Sequence, residues 1–416
     1  MTRLPCIRVA LSLTTLLVCS SANLLAADSP AAPAPAPARK INLPQGFILG
    51  ADLSAVPASE DRGAVYMDKG QKQDILQIMK AHGFNYVRLR IFVDPTAPGG
   101  YSAQGYCGLD QTIKFGKRIK DAGMGFLLDF HYSDTWADPG KQTKPAAWRD
   151  MDLPELTKTV HDYTKDVVSK LKAAGAEPDM VQVGNEITPG MLLNAMPGNR
   201  GGQASKISDQ PEGSTKNWDN LAALLKAGIA GTEEVDPNIL VMLHIDRGHD
   251  NKTTVTWVDN ALSHGVKFDI LGESCYTTWQ GPPSVIQANF DDLVKRYPNL
   301  YFINDEYGGS IRNENGDVFK KQGDATPAQT NPNLPNIAKG LDWTKRAAND
   351  VMYGLADNKG LGTFIWEPTQ NGNYQTLFTR DPATGANVAN QEMYLYDDMA
   401  KAYASRKPAA TPKAGP

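Results

Sequence analysis

The stretch "MVQVGNEITPG", Met180–Gly190, joins an apolar run of strand type to two polar residues, Asn185 and Glu186. A nearly continuous apolar run suits a strand covered on both faces, as in a parallel sheet. Burial gives an amide and a carboxylate nothing unless each is paired or solvated. Asn185 and Glu186 therefore mark the end of the strand, and Glu186 is solvated, paired or placed for chemistry.

The same arrangement occurs along the whole body of the chain. The apolar runs are "FILGADLS", "FNYVRLRIF", "GFLLDFHYSD", "MVQVGNE", "NILVMLHID", "FDILGESCY", "LYFINDEY" and "LGTFIWEP". Amphipathic segments lie between them, such as "QKQDILQIMKAHG", "LDQTIKFGKRIKDAG" and "LPELTKTVHDYTKDVVSKLKAAG", several closing on glycine as helix ends often do. Strand then helix, repeated eight times, predicts an α/β fold, a single (β/α)8 TIM barrel, with a doubly wound sheet as the structural alternative. Polar residues fall at the C-terminal ends of the runs: Asp52, Arg88 and Arg90, His131 and Asp134, Asn185 and Glu186, His244 and Asp246, Ser274 and Tyr276, Glu306, and Trp366 and Glu367. In a barrel those ends converge on one mouth, where active sites sit.

The 416 residues are 41% hydrophobic and 21% charged, enough for a sizeable core, and the formal net charge of −4 with no dense basic patch disfavours nucleic acid. Residues 1–27 read as a signal peptide: Arg3 and Arg8 precede the apolar "VALSLTTLLV", and small residues from Ala22 to Ala27 offer cleavage sites. Export in soluble form is expected, with a lipid anchor at Cys19 as the alternative. Residues 28–42, rich in Pro and Ala, read as a linker, 43–403 as the catalytic domain and 404–416 as a disordered tail. No transmembrane segment is expected in the mature chain. Beyond the signal only Cys107 and Cys275 remain, which form one disulfide or stay as two buried thiols.

Glu186 closes the fourth run and Glu306 the seventh, which in an eight-stranded barrel stand across the mouth from each other. Two facing carboxyl groups suit glycoside hydrolysis, in which one protonates the leaving oxygen and the other acts as nucleophile or base. Asp129, Glu273 and Glu367 are candidates for supporting or structural roles. Asn185 either binds a sugar hydroxyl or caps a turn, and His131 either lines the site or is a hydrogen-bonded histidine at a strand end. Trp136, Trp279 and Trp366 are placed to stack on a sugar ring, whereas Trp257 reads as core. The six histidines form no H-x-H or H-E-x-x-H pair, and neither a Walker sequence nor a strand-borne G-x-G-x-x-G is present. Metal-dependent hydrolysis, phosphoryl transfer and dinucleotide chemistry are disfavoured accordingly.

The segments "GADLSAVPASEDRGAVYMDKGQKQDILQIMKAHGFNYVRLRIFVDP", "LLDFHYSDTWADPGKQTKPAAW" and "VQVGNEITPGML" closely resemble glycoside hydrolase family 53, the endo-β-1,4-galactanases. "LGESCYTTWQG" and "GTFIWEP" resemble the family's sixth- and eighth-strand motifs. The resemblance implies a barrel that cleaves internal β-1,4-galactosyl bonds, in galactan or type I arabinogalactan, with retention of configuration. By the same resemblance Glu186 is the general acid/base and Glu306 the nucleophile. Arg88 and Tyr276 support Glu306, Asn185 holds the hydroxyl beside the reacting carbon, and His131 and Trp366 line the sugar site. No cofactor is required on this reading, and the loop "TQNGNYQTLFTRDPATGANVANQ", where some members bind calcium, assigns no ligands.

The chain departs from the family in places. "NDEYG" surrounds Glu306 where the family usually has a "TET" run, and "HIDRGHD" puts Arg247 where a small amide is expected. Long polar loops follow the fourth and seventh runs. The reading is an exported, monomeric, retaining endo-β-1,4-galactanase. A barrel glycosidase for mannan or glucan and a non-catalytic glycan-binding barrel are the alternatives.

Overall fold

A computed structural model describes residues 41–193, 212–308, 311–312, 318–320, 334–369 and 376–407, with the backbone alone for 278, 311–312, 318–320 and 334–343. All of them belong to the unit Arg39–Pro416. The signal segment, most of the linker, the tail from 408, Cys6 and Cys19, and large parts of the two long polar loops lie outside the described residues.

Each of the eight apolar runs contributes one strand: β1 (Ile48–Asp52), β2 (Tyr86–Ile91), β3 (Gly125–Phe130), β4 (Met180–Val183), β5 (Leu240–Ile245), β6 (Ile270–Ser274), β7 (Tyr301–Tyr307) and β8 (Gly360–Ile365). They form a closed barrel in chain order, β1 pairing with both β2 and β8, and every neighbouring pair is parallel. The fold is a (β/α)8 barrel, and the doubly wound alternative falls.

Side chains alternate across each strand, so the barrel has an inner and an outer set. Ile48, Leu127, Met180, Leu240, Ile270 and Tyr301 form an apolar floor inside it, with Phe364 above them. A Cβ on Gly50 would lie 2.3 Å from the Phe364 ring, so glycine at that position lets phenylalanine fill the interior. Further along the strands the inward residues become Asp52, Arg88, Asp129, Gln182, His244, Ser274 and Glu306, all buried. The outer set, including Val87, Leu89, Phe126, Leu128, Val181 and Leu243, packs on the helices and forms the larger core.

The longer helices are α1 (Ile75–Ala81), α2 (Leu109–Asp121), α3 (Leu153–Ala173), α4 (Trp218–Glu233), α5 (Asn251–Ser263), α6 (Pro283–Arg296), α7 (Leu334–Tyr353) and α8 (Gln391–Tyr403), with short helical turns at Val56–Asp61 and Thr277–Gln280. Asp152 and Glu155 form a capping box at the start of α3. The segment 71–83 is helical only from Ile75, because Gln71–Lys72 pairs antiparallel with Tyr66–Asp68 and Asp74 then caps the helix. Gly83, Gly123 and Gly175 follow their helices with positive φ, as their sequence positions suggest. Cys107 and Cys275 are free and buried, so the disulfide is not formed. No helix among the described residues is long and apolar enough to cross a membrane.

Candidate active site

The charged layer at the C-terminal mouth is organised around Arg88. Its guanidinium lies 3.2 Å from Asp52, 2.9 Å from Asp129, 3.3 Å from Asp305 and 2.9 Å from Glu306, and it donates to Asn185 Oδ1 at 2.8 Å. One planar cation with five N–H donors can meet this many oxygens, which a lysine could not. Burial would raise the Asp129 carboxyl, yet Arg88 and His131 hold it below its ordinary value.

Glu306 Oε1 faces Arg88 and Oε2 accepts a hydrogen bond from the Tyr276 hydroxyl at 2.8 Å. Burial raises this carboxyl, while Arg88 first and Tyr276 second oppose it. Glu186 has no such cation. Burial and the nearby Glu306 charge push it well above the usual carboxylate range, and only the Ser274 hydroxyl, 2.6 Å from Oε1, acts noticeably the other way. The pair thus holds its first proton on Glu186 and its negative charge on Glu306.

Local backbone geometry supports this placement. Gly184 and Glu186 both have positive φ, 88° and 48°, which turns the chain sharply off β4. Among non-glycine residues such a conformation is uncommon and collects at functional sites. Asn185, between them, donates from Nδ2 to the Ala137 carbonyl at 2.8 Å, which leaves its second amide hydrogen for a ligand.

Arg88, His131, Trp136, Asn185, Glu186, Tyr276, Trp279, Glu306 and Trp366 all line one cavity of about 280 Å³. Every residue proposed from sequence for this site is therefore there. His131 is a wall rather than a free base: Nδ1 accepts the Ala137 N–H at 2.9 Å and Nε2 lies 3.0 Å from Asp129. Trp136 and Trp366 stand 6.3 Å apart between ring centroids, and Trp279 is 74% exposed at the rim. Trp257 is buried, as expected of a core residue.

Several partners of these residues carry no motif of their own in the sequence. Arg90 stacks under Trp136 at 4.1 Å and pairs with Glu367 at 2.6 Å, so it fixes the indole. Ser274 reaches the Glu186 carboxyl from β6, and His244 on β5 accepts the Glu186 backbone N–H. Their positions two residues before Tyr276 and Asp246 share the inward parity of those strand ends, and that parity was the available signal. Glu273 faces the other way, between Thr254 and Asn289 on α5 and α6. Among the described residues no three His, Cys, Asp or Glu side chains converge as a metal site, and residues 370–375 of the loop after β8 are outside them.

A filled barrel with an aromatic-walled mouth, one proton-holding carboxyl and one arginine-bound carboxylate has the make-up of a glycoside hydrolase. The chain belongs to glycosyl hydrolase family 53, whose model matches residues 48–405. It is 31% identical over 335 residues to an arabinogalactan endo-beta-1,4-galactanase of Thermothelomyces thermophilus, covering 77% of this chain and 88% of that one. Identity to the endo-beta-1,4-galactanase of Bacillus subtilis is 33%, over 77% of this chain and 70% of that one. The GH53 catalytic domain of Ignisphaera aggregans superposes with a TM-score of 0.69 at 29% identity, covering 85% and 96% of the two chains.

Proposed function

We propose that the protein is a retaining endo-β-1,4-galactanase acting on galactan or type I arabinogalactan, with Glu186 as acid/base and Glu306 as nucleophile. The observation that carries this reading is the unequal surroundings of the two glutamates, Arg88 and Tyr276 on one and burial with a single serine hydroxyl on the other. The galactan substrate is supported by the family and by the names of its relatives.

In the first step a Glu306 oxygen attacks the anomeric carbon as the glycosidic C–O bond breaks, and the leaving oxygen takes the Glu186 proton. Loss of that proton makes Glu186 a carboxylate, ready to act as base. In the second step Glu186 removes a proton from water, the water oxygen attacks the anomeric carbon, and the bond to Glu306 breaks. Arg88 and Tyr276 stabilise Glu306 as it departs. The free amide hydrogen of Asn185 is placed to bind the hydroxyl next to the reacting carbon, and Trp366, Trp136 and Trp279 offer apolar faces to sugar rings.

Export from the cytoplasm fits a polymeric substrate, and the first 27 residues supply the signal on this reading. The test is incubation with linear β-1,4-galactan beside Glu186→Gln and Glu306→Gln. Short galacto-oligosaccharides from the wild type and none from either variant are expected. Wild-type cleavage of mannan or glucan in place of galactan would shift the substrate assignment.

A further inference from the structure

Behind Glu186 lies a short buried chain of hydrogen bonds that the mechanism above does not use. Ser274 Oγ is 2.6 Å from Glu186 Oε1, and His244 Nε2 is 3.0 Å from Ser274 Oγ. Both residues have no solvent-exposed surface. On the far side of the ring, His244 Nδ1 receives the Glu186 backbone N–H at 3.3 Å and the Gln182 amide at 3.1 Å.

The backbone N–H, which can only donate, fixes the tautomer. The imidazole is held neutral, since burial first and Arg88 second push it well below its ordinary value. With Nδ1 accepting, the one ring proton sits on Nε2 and is given to Ser274, whose own proton then goes to Glu186. Asn185 Oδ1, 3.0 Å from Nδ1, and Asp305 Oδ2, 3.4 Å away, are the contacts that would favour the opposite tautomer, and both oxygens already face N–H groups of Arg88.

We propose that His244 and Ser274 are positioning residues for the acid/base: His244 donates to Ser274, and Ser274, by donating to Glu186 Oε1, places the transferable proton on Oε2, the oxygen left to face the sugar bond. The same donation stabilises the carboxylate once the proton has gone. This rests on the reading of Glu186 as acid/base. The other charged groups facing Glu186 are Glu306 on β7, Asp246 after β5 and Asp138 after β3, while Arg88, Asp129, His131 and Asp305 surround His244.

The test compares kcat/KM, which reports the glycosylation step, on galactan and on a dinitrophenyl β-galactobioside whose leaving group needs no proton. Ser274→Ala should lower kcat/KM on galactan roughly tenfold or more, the size of a lost charge-assisted hydrogen bond, and leave the aryl substrate nearly unchanged. Ser274→Thr, which keeps the hydroxyl, should recover most of the galactan activity. Since the serine's bond favours the ionised form, its removal should also move the alkaline limb of the profile to higher pH. Equal losses on both substrates with an unmoved alkaline limb, in a variant that unfolds at the wild-type temperature, would overturn the proposal. Wild type inactive on both substrates would instead remove the galactanase reading beneath it.

Discussion

Asp305 and Glu306 are consecutive in the chain, yet both direct their carboxyl groups into the barrel towards Arg88, at 3.3 and 2.9 Å. Regular alternation would send one of them outward. The register explains the exception: Asn304 pairs with Glu273 and Glu306 with Ser274, so Asp305 is an extra residue on β7. On the other side Asn304 meets Thr363 and Tyr307 meets Ile365, again two residues opposite one. A bulge beside the reacting centre re-aims a side chain. Here it crowds a second carboxyl against the arginine that serves the nucleophile.

The crowding is relieved by a proton. Burial first holds Asp305 well above its ordinary value; Arg88 opposes this, and the charges of Glu306, Asp129 and Asp52 add to the rise. Asparagine mimics the protonated acid, so Asp305→Asn should keep galactan turnover within about threefold of wild type, well under 1 kcal/mol in the barrier. Steady-state kinetics on galactan check this, and a loss near that of Glu306→Gln would mean that Asp305 works as a carboxylate.

Arg88→Lys should behave quite differently. A single ammonium cannot reach Asp52, Asp129 and Glu306 together, and the buried carboxylates left without a partner destabilise the fold by about 3–5 kcal/mol. A large drop in unfolding temperature together with loss of turnover is expected in thermal melts and assays. Calorimetry showing a wild-type melting temperature would contradict the central place given to this residue.

Outside the barrel Glu273 makes stability depend on pH. Burial raises its carboxyl from 4.5 to about 8, with Thr254 and Asn289 hydrogen bonds opposing. In that window the unfolded chain has released the proton and the folded one has not, so stability falls as pH rises from 4.5 and levels off above 8. Gln has the shape of the neutral acid and cannot ionise. Glu273→Gln should therefore melt above wild type at pH 8, with the gap closing towards pH 5, when melts are run across that range.

Trp279 stands at the rim, 74% exposed, with no part in holding the carboxyl groups. Trp279→Ala should raise KM on galactan about threefold to tenfold with kcat nearly unchanged, the signature of lost uniform binding. Trp136→Ala should cost more, because its indole also covers Arg90. Parallel initial-rate curves for the two variants separate these expectations.

The barrel was legible because parallel strands covered on both faces are written as unbroken apolar runs, and each run ended in polar residues at the mouth. Glu186, Glu306, Arg88 and Tyr276 could be named because they sit at those ends in motifs of recognisable type. Asp305 reads in the sequence as an ordinary strand neighbour of Glu306, since no glycine or proline marks the bulge. Ser274 and His244 acquire a role only through contacts between residues 30 and 88 positions apart, which no local pattern reports. The segment 71–83 reads as helix from its start, whereas Gln71–Lys72 pairs with Tyr66–Asp68 in a short hairpin whose other edge rests on Asn387–Ala389, far along the chain.

The central claim is that Glu306 forms a bond to the sugar which Glu186 then helps water to break. Proton NMR of a galactan digest, recorded before mutarotation equilibrates the products, tests it directly. The first reducing ends to appear should be the β-anomer, retained through two inversions. The α-anomer appearing first would mean a single displacement by water, and the nucleophile assigned to Glu306 would be wrong.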